Sequence, residues 1–320
     1  MAKQFVSELQ PSQRVDSLFV VRQRRLVPFR NKPGSYLDLT LADRTGEVTG
    51  RMWDNAEEAA AVARVGAVVR VQGRCEEYQG RRQVIVEVIS PCAEGEYDIG
   101  DFLKCGKADR DEMLNQLRSV VATVRHPHLR ALLNAFFGDE EFVGRFAEAP
   151  ASKQLHHAHV GGLLEHTLGV IRILEAAIEV HPELNRDLLI TGALLHDIGK
   201  VDELRVLGTT IEYSDIGRLV GHIVLTDRMV TEKIAALEDF PEELQARLTH
   251  LLLSHHGQKE YGAPVLPMTP EACALHYADN LDAHVQYFGE VVEKGAQGDR
   301  WSEYQRLFDR YIYLGGEEGS

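Results

Sequence analysis

The 320-residue sequence has no run of about eighteen apolar residues, the length an α-helix needs to cross a bilayer. Its first residues, MAKQFVSELQPSQ, lack a basic start followed by an apolar stretch. Neither a membrane span nor a secretory leader is expected, and the cytoplasm is the expected compartment. Cysteine is scarce: Cys75, Cys92, Cys105 and Cys273 stand singly, with no Cys-x-x-Cys pair. That pattern argues against a disulfide framework or a zinc knuckle and fits reduced thiols without a catalytic role. Internal repeats, low-complexity tracts and sustained heptads are missing too, which argues against a solenoid or a coiled coil.

Histidine is missing from the N-terminal third and concentrated afterwards. None of the 14 histidines precedes His126, and 12 fall between His156 and His284. The net charge of −14 is uneven: residues 1–95 hold 14 Lys/Arg against 12 Asp/Glu, and the remainder holds 21 against 37. A polyanionic partner would therefore meet the N-terminal part first. A hydrophobic content of 44% and a charged content of 26% are those of a globular protein, and the length allows two domains with separate cores.

From about residue 13 to 92, apolar residues alternate or form short runs, as in VDSLFVVRQRRLV, SYLDLTLADRTGEVTGRMW and AVVRVQGRCEEYQGRRQVIVEVISP. Turn signals fall at Lys32-Pro33-Gly34, Asp43-Arg44-Thr45-Gly46 and Tyr78-Gln79-Gly80. Five strands with one short helix near Asn55 to Val65 predict a small barrel of OB type over residues 1–95. Residues 96–150 read as a helical connector of two helices, DRDEMLNQLRSVVATV and PHLRALLNAFFGDEEFVGRFAEA. Residues 151–320 read as an all-α domain of five helical segments, with a frayed tail from Gly315 to Ser320.

The chemistry lies in that last domain. Ala193-Leu194-Leu195-His196-Asp197-Ile198-Gly199-Lys200 ends an apolar helix. Adjacent imidazole and carboxylate groups suit a hard divalent cation, and a carboxylate can bridge two. His166 lies in Gly-Gly-Leu-Leu-Glu-His-Thr, His222 in Val-Gly-His-Ile, His255 and His256 in Leu-Ser-His-His-Gly, and Asp279 in His-Tyr-Ala-Asp-Asn. A single histidine on an apolar helix is more often a hydrogen-bonded core residue than a ligand. Several such polar interruptions together need a shared interior partner, and a metal centre supplies one. Lys200 could add positive charge at a phosphate or stand solvated at a helix end. His256 is a candidate second ligand or substrate contact, and His157 a candidate for the pocket mouth. Glu165 and Asp282 are candidates to back ligand histidines.

The order His, His-Asp, His, His, Asp over residues 157–282 resembles the HD superfamily of metal-dependent phosphohydrolases. The resemblance implies that His166, His196, Asp197 and Asp279 hold one metal ion, and that Asp197 bridges to a second held by His222 and His255. Two such ions would polarise phosphoryl oxygens and supply hydroxide near neutral pH. Replacing Asp197 by alanine is then expected to abolish hydrolysis and leave the fold largely intact.

The barrel narrows the substrate. Phe19, Phe29, Tyr36, Trp53 and Tyr78 are interleaved with arginines that include Arg22, Arg24, Arg30, Arg44 and Arg51. Such aromatics bind single strands by stacking while cations follow the backbone, though in small barrels most are core, so about two of the five are expected to function. Trp53, Tyr78, Arg22, Arg24 and Arg44 are the candidate contacts. A barrel, a helical connector and an HD domain of this length resemble the bacterial YhaM-type 3′-to-5′ exoribonuclease family. Asp38-Leu39-Thr40-Leu41-Ala42-Asp43-Arg44-Thr45-Gly46 with Trp53-Asp54, and His157 to Thr167, carry that likeness. It implies removal of nucleoside 5′-monophosphates from single-stranded RNA, with single-stranded DNA as a second substrate to test. Mn2+ is the favoured ion, with Mg2+, Co2+, Fe2+ and Ni2+ as alternatives; homo-oligomerisation stays open. The rivals are a nucleotide or cyclic-dinucleotide phosphohydrolase with a regulatory barrel, and a non-catalytic nucleic-acid-binding protein. A Gly-Tyr-Pro sequence after His196-Asp197 is absent, which counts against the cyclic-dinucleotide branch.

Overall fold

The computed structural model describes residues 3–29, 31–93, 95–102, 109–153, 157–207, 210–295 and 299–315. Arg30, Cys105 and the tail 316–320 lie outside them. Two compact units divide the chain, one built mainly from residues 1–105 and one from 106–320 apart from 206–210.

In the first unit, β1 (Arg14–Pro28), β2 (Ser35–Asp43), β3 (Gly46–Met52), β4 (Val68–Tyr78) and β5 (Arg81–Pro91) form a closed barrel in the order β1-β2-β3-β5-β4. Pairing of β1 with β4 completes the ring, and β3 with β5 is the parallel pair. The turn signals join β1 to β2, β2 to β3 and β4 to β5 as expected. The short helix α1 (Ala56–Val62) lies between β3 and β4, and its buried Ala56, Ala59 and Ala60 join the barrel core. Alternation along β1 turns Val15, Phe19 and Val21 inward, as a period of two requires. Asp43 fixes the β2–β3 turn by accepting from the Thr45 amide at 2.8 Å and the Val6 amide at 2.7 Å.

In the second unit, α2 (Arg110–Thr123), α3 (Pro127–Phe137) and α4 (Glu140–Glu148) cover the segment read as a connector. The helix expected across 127–149 is broken, because Asp139 turns out of it and accepts from the amides of Glu141 and Phe142, forming an N-cap for α4. Leu117, Leu132, Phe136 and Phe146 of these helices share one core with Leu164, Leu189 and Leu251. The remaining helices are α5 (Gly162–Val180), α6 (Arg186–Leu195), α7 (Lys200–Glu203), α8 (Asp215–Val220), α9 (His222–Ala235), α10 (Glu242–Ser254) and α11 (Pro270–Lys294). Along the chain after α7, a two-stranded sheet of β6 (Leu204–Leu207) and β7 (Thr210–Tyr213), whose residues 206–210 group with the first unit, interrupts the expected all-helical pattern.

Helix α6 is the axis of this unit: every residue from Leu188 to Leu195 is buried. A helix apolar on all sides can only be stable when surrounded. Each of its leucines contributes about 1.5–3 kcal/mol by leaving water. Its C-terminal end, where His196 and Asp197 stand, is therefore fixed deep in the interior. Among the described residues, no helix is long and apolar enough to cross a membrane.

Candidate metal centre

Five segments converge on the end of α6. Helix α5 supplies His166, the end of α6 supplies His196 and Asp197, the first residue of α9 is His222, His255 and His256 follow α10, and α11 supplies Asp279. The close approach of α9 depends on Gly199: a Cβ there would lie 2.3 Å from the His222 carbonyl oxygen and 2.7 Å from the Thr226 nitrogen. The Gly199 amide donates to Thr226 Oγ1 at 2.9 Å, which locks the two elements together.

Asp197 is buried between two sets of donors. Its Oδ2 lies 3.4 Å from His196 Nε2 and 3.7 Å from His166 Nε2. His166 Nε2 is in turn 3.1 Å from Asp279 Oδ1. The other oxygen, Oδ1, lies 3.4 Å from His222 Nε2 and 3.6 Å from His255 Nε2. His166, His196 and Asp197 bring one donor atom each within 4.8 Å of one another, and so do His222, His255 and His256. All six residues expected to form the centre meet there, and His256 joins the second group.

The five histidines are oriented alike. Nδ1 bonds Asp282 in His166 (2.7 Å), the Ala193 carbonyl in His196 (2.8 Å), Glu203 in His222 (3.0 Å), the Leu252 carbonyl in His255 (2.7 Å) and the Tyr261 carbonyl in His256 (2.7 Å). Carbonyl and carboxylate oxygens accept, so each Nδ1 carries a hydrogen; His196, His255 and His256 then turn the Nε2 lone pair inward, whereas His166 Nε2 also donates, to Asp279, until a cation takes that hydrogen's place. His222 and His256 meet Nε2 to Nε2 at 3.3 Å, as do His166 and His196. Lone pairs at that distance need positive charge between them.

Electrostatics agree. Burial pushes the His196 imidazole down to about 4, and burial with the neighbouring His255 and His222 pushes His256 down to about 3. Burial opposes charge on His166 as well, but hydrogen bonds to Asp279 and Asp282 outweigh it and raise the ring to about 9. Burial would also raise Asp197, yet Lys200 and the imidazoles hold it well below the usual carboxylate range. Asp279 is likewise held below that range by His166 despite its burial. Carboxylates that stay ionised beside imidazole nitrogens form a donor set for a divalent cation. Asp197 Oδ1 and His255 Nε2 sharpen the fit, since both are buried and, among the described residues, without a hydrogen-bond partner.

Several candidates occupy places the sequence does not reveal. Lys200 is not solvated: it is buried at the start of α7, with Nζ on Asp197 Oδ2. His157 does not line a pocket mouth; it is 3% exposed, with Nε2 3.1 Å from Asp282 Oδ2. Glu165 bonds His159 at 2.8 Å rather than a ligand histidine. Glu203, which accepts from both the backbone amide and Nδ1 of His222, was missed, because nothing in its sequence neighbourhood separates it from a surface acid.

On the barrel, Phe19 is core, whereas Trp53 and Tyr78 are 40% and 51% exposed. Trp53 packs on Tyr36 with ring centroids 4.8 Å apart, Lys32 lies over Phe29, and Arg51 lies over Tyr78. The arginines singled out lie elsewhere. Arg22 donates to the Phe102 carbonyl, Arg24 to the Ala60 carbonyl, and Arg44 sits over Phe5 at the opposite end of β2 from Tyr36.

Comparison with known proteins agrees with this architecture. Residues 163–284 match the HD domain family, and residues 20–91 match the OB-fold nucleic acid binding domain family. The chain is 32% identical to the 3′-5′ exoribonuclease YhaM of Bacillus velezensis, covering 94% of this chain and 95% of that one. It is 33% identical to the protein of the same name from Bacillus subtilis, covering 87% and 88%. The Halalkalibacterium halodurans YhaM is 30% identical, with 95% and 94% covered.

Proposed function

The chain belongs to the YhaM 3′-5′ exoribonuclease family and is a metal-dependent 3′-5′ exoribonuclease; from that premise we propose that two divalent ions share Asp197 and that the barrel captures the strand. His166, His196 and Asp279 would hold one ion with Asp197, and His222 and His255 would hold the other, with His256 as a further donor. The observation that carries this reading is the placement of the two Asp197 oxygens between two sets of inward-facing Nε2 atoms.

Bound ions supply Lewis acidity at the phosphate and a strong nucleophile at neutral pH. The chain's own groups do the rest. The Nδ1 bonds hold five imidazoles in the ligating tautomer, and burial of Asp197 and His196 keeps bulk water from competing for them. Lys200, held on the Oδ2 side of Asp197, offers an ammonium to a phosphoryl oxygen. Trp53 and Tyr78 provide stacking faces for bases, with Lys32 over Phe29 beside Trp53 and Arg51 over Tyr78. Single-stranded RNA is the substrate, nucleoside 5′-monophosphates are the products, and Mn2+ is the ion we favour. The cytoplasm is the compartment this assignment fits.

The test is incubation of 5′-labelled and 3′-labelled oligoribonucleotides with the purified protein and Mn2+. We expect a ladder shortening from the 3′ end, mononucleotide release from the 3′ label, and arrest by chelation. Product release in the presence of excess chelator, or cleavage from the 5′ end, would overturn the reading. Parallel oligodeoxyribonucleotides measure the preference between RNA and DNA.

A further inference from the structure

Asp282 lies one helical turn beyond Asp279 on α11, so both carboxylates face the same neighbour on α5. Asp279 Oδ1 lies 3.1 Å from His166 Nε2, while Asp282 Oδ2 lies 2.7 Å from His166 Nδ1. The two acids grip opposite edges of one imidazole. Room for the second grip is built into α5: a Cβ on Gly169 would stand 2.2 Å from Asp282 Oδ1. Gly169 follows His166 by three residues, so ring and gap lie on one helix face.

His157 completes the arrangement from outside the helices. Its Nε2 lies 3.1 Å from the same Asp282 Oδ2 that bonds His166. The residue adopts φ 48°, in the left-handed region, which costs a non-glycine residue of order 1 kcal/mol or more. Its carbonyl accepts from the Ala151 amide at 3.2 Å and the His159 amide at 2.9 Å, and these bonds hold the unusual turn. A side chain buried in this way cannot meet a polymeric substrate, but it can fix a carboxylate.

We propose that His157 and Asp282 are positioning residues for the metal ion on the His166 side of Asp197. Asp282 fixes the rotation and tautomer of the His166 ring, and His157 fixes Asp282. The inference rests on the reading of His166 as a ligand. It parallels the hold of Glu203 on His222 across the centre, so each side has one carboxylate bracing one imidazole.

The test is Mn2+ titration of the full chain by calorimetry, with chelator competition, for wild type and for Asp282→Asn, His157→Gln, Gly169→Ala and Glu203→Gln. Asp282→Asn and His157→Gln should weaken one class of Mn2+ site by about 10- to 100-fold. Gly169→Ala, which displaces the carboxylate without removing it, should weaken the same class. Glu203→Gln should weaken the other. Activity of the first three should recover substantially as Mn2+ is raised, with KM for RNA little changed. Thermal unfolding of the metal-free variants identifies any that fail to fold, and Gly169→Ala then carries the comparison. Unchanged Mn2+ affinity in folded Asp282→Asn would overturn the proposal. So would a raised KM for RNA in His157→Gln at wild-type Mn2+ affinity, which would make His157 a substrate contact. A wild-type protein that binds Mn2+ at two sites but degrades no RNA would refute the functional assignment and leave the positioning comparison intact.

Discussion

Asp197 Oδ1 and His255 Nε2 face each other at 3.6 Å, both buried and, among the described residues, both without a hydrogen-bond partner. A buried polar atom left unpaired costs about 1–3 kcal/mol. Two of them opposed across one gap are a liability to the protein alone and an asset to a cation-binding protein.

A stabilising effect of metal follows. A ligand that binds only the folded state at 100 times its Kd adds about 2.7 kcal/mol. Mn2+ should raise the thermal unfolding midpoint of the wild type, and the rise should shrink in His255→Ala. A midpoint insensitive to Mn2+ in scanning calorimetry would contradict the two-sided reading of Asp197.

Asp197→Ala should reduce exonuclease activity to below about a tenth of wild type, because no neighbour could replace a carboxylate that serves both proposed ions. The fold is expected to stay largely intact but to lose stability, since the substitution strands the buried Lys200 ammonium. Removing one partner of a buried ion pair costs about 3–5 kcal/mol, and nearby Asp279 and Glu203 place this case at the lower end. Adding Lys200→Met should restore much of the stability in urea unfolding but none of the activity.

On the barrel, Trp53→Ala and Tyr78→Ala should raise KM for long single strands by roughly tenfold each, since stacking on one aromatic is worth about 1–3 kcal/mol. Hydrolysis of a small model phosphodiester should hardly change. Steady-state assays on both substrates make the comparison, and an equal effect on the two would place these rings outside the binding surface.

Gly199→Ala inserts a methyl group against the His222 carbonyl and the Thr226 amide. We expect a loss of about 1–3 kcal/mol in stability together with weakened Mn2+ binding, because the shift moves His222 away from Asp197. Circular dichroism melts and metal titration of one sample report both effects.

The sequence carried the barrel through its period-two alternation and turn residues, and the helical unit through its apolar periodicity. The residues of the candidate metal centre were readable because polar side chains interrupt otherwise apolar helices. What escaped depends on proximity in space. The break at Asp139 is a local capping choice inside an unbroken apolar pattern. The β6–β7 pair is too short for alternation to register. The bracing acid Glu203 looks like any surface glutamate until α9 comes to rest on it, and Lys200 looks solvated until the turn at Gly199 buries it. The roles of Arg22 and Arg24 were hidden because basic residues near aromatics suggest phosphates, whereas these two donate to the carbonyl oxygens of Phe102 and of Ala60 in α1.

The residues that converge at the end of α6 are drawn from positions 166 to 279, and among the described residues Cys75, Cys92 and Cys273 are free thiols. An ion held by this set would tie together segments more than a hundred residues apart. In chain-entropy terms it would be a reversible cross-link closing long loops, the service that disulfides perform in oxidising compartments. The supply of metal would then govern how readily the helical unit opens to proteases, linking the lifetime of the polypeptide to the same ions that equip it for catalysis.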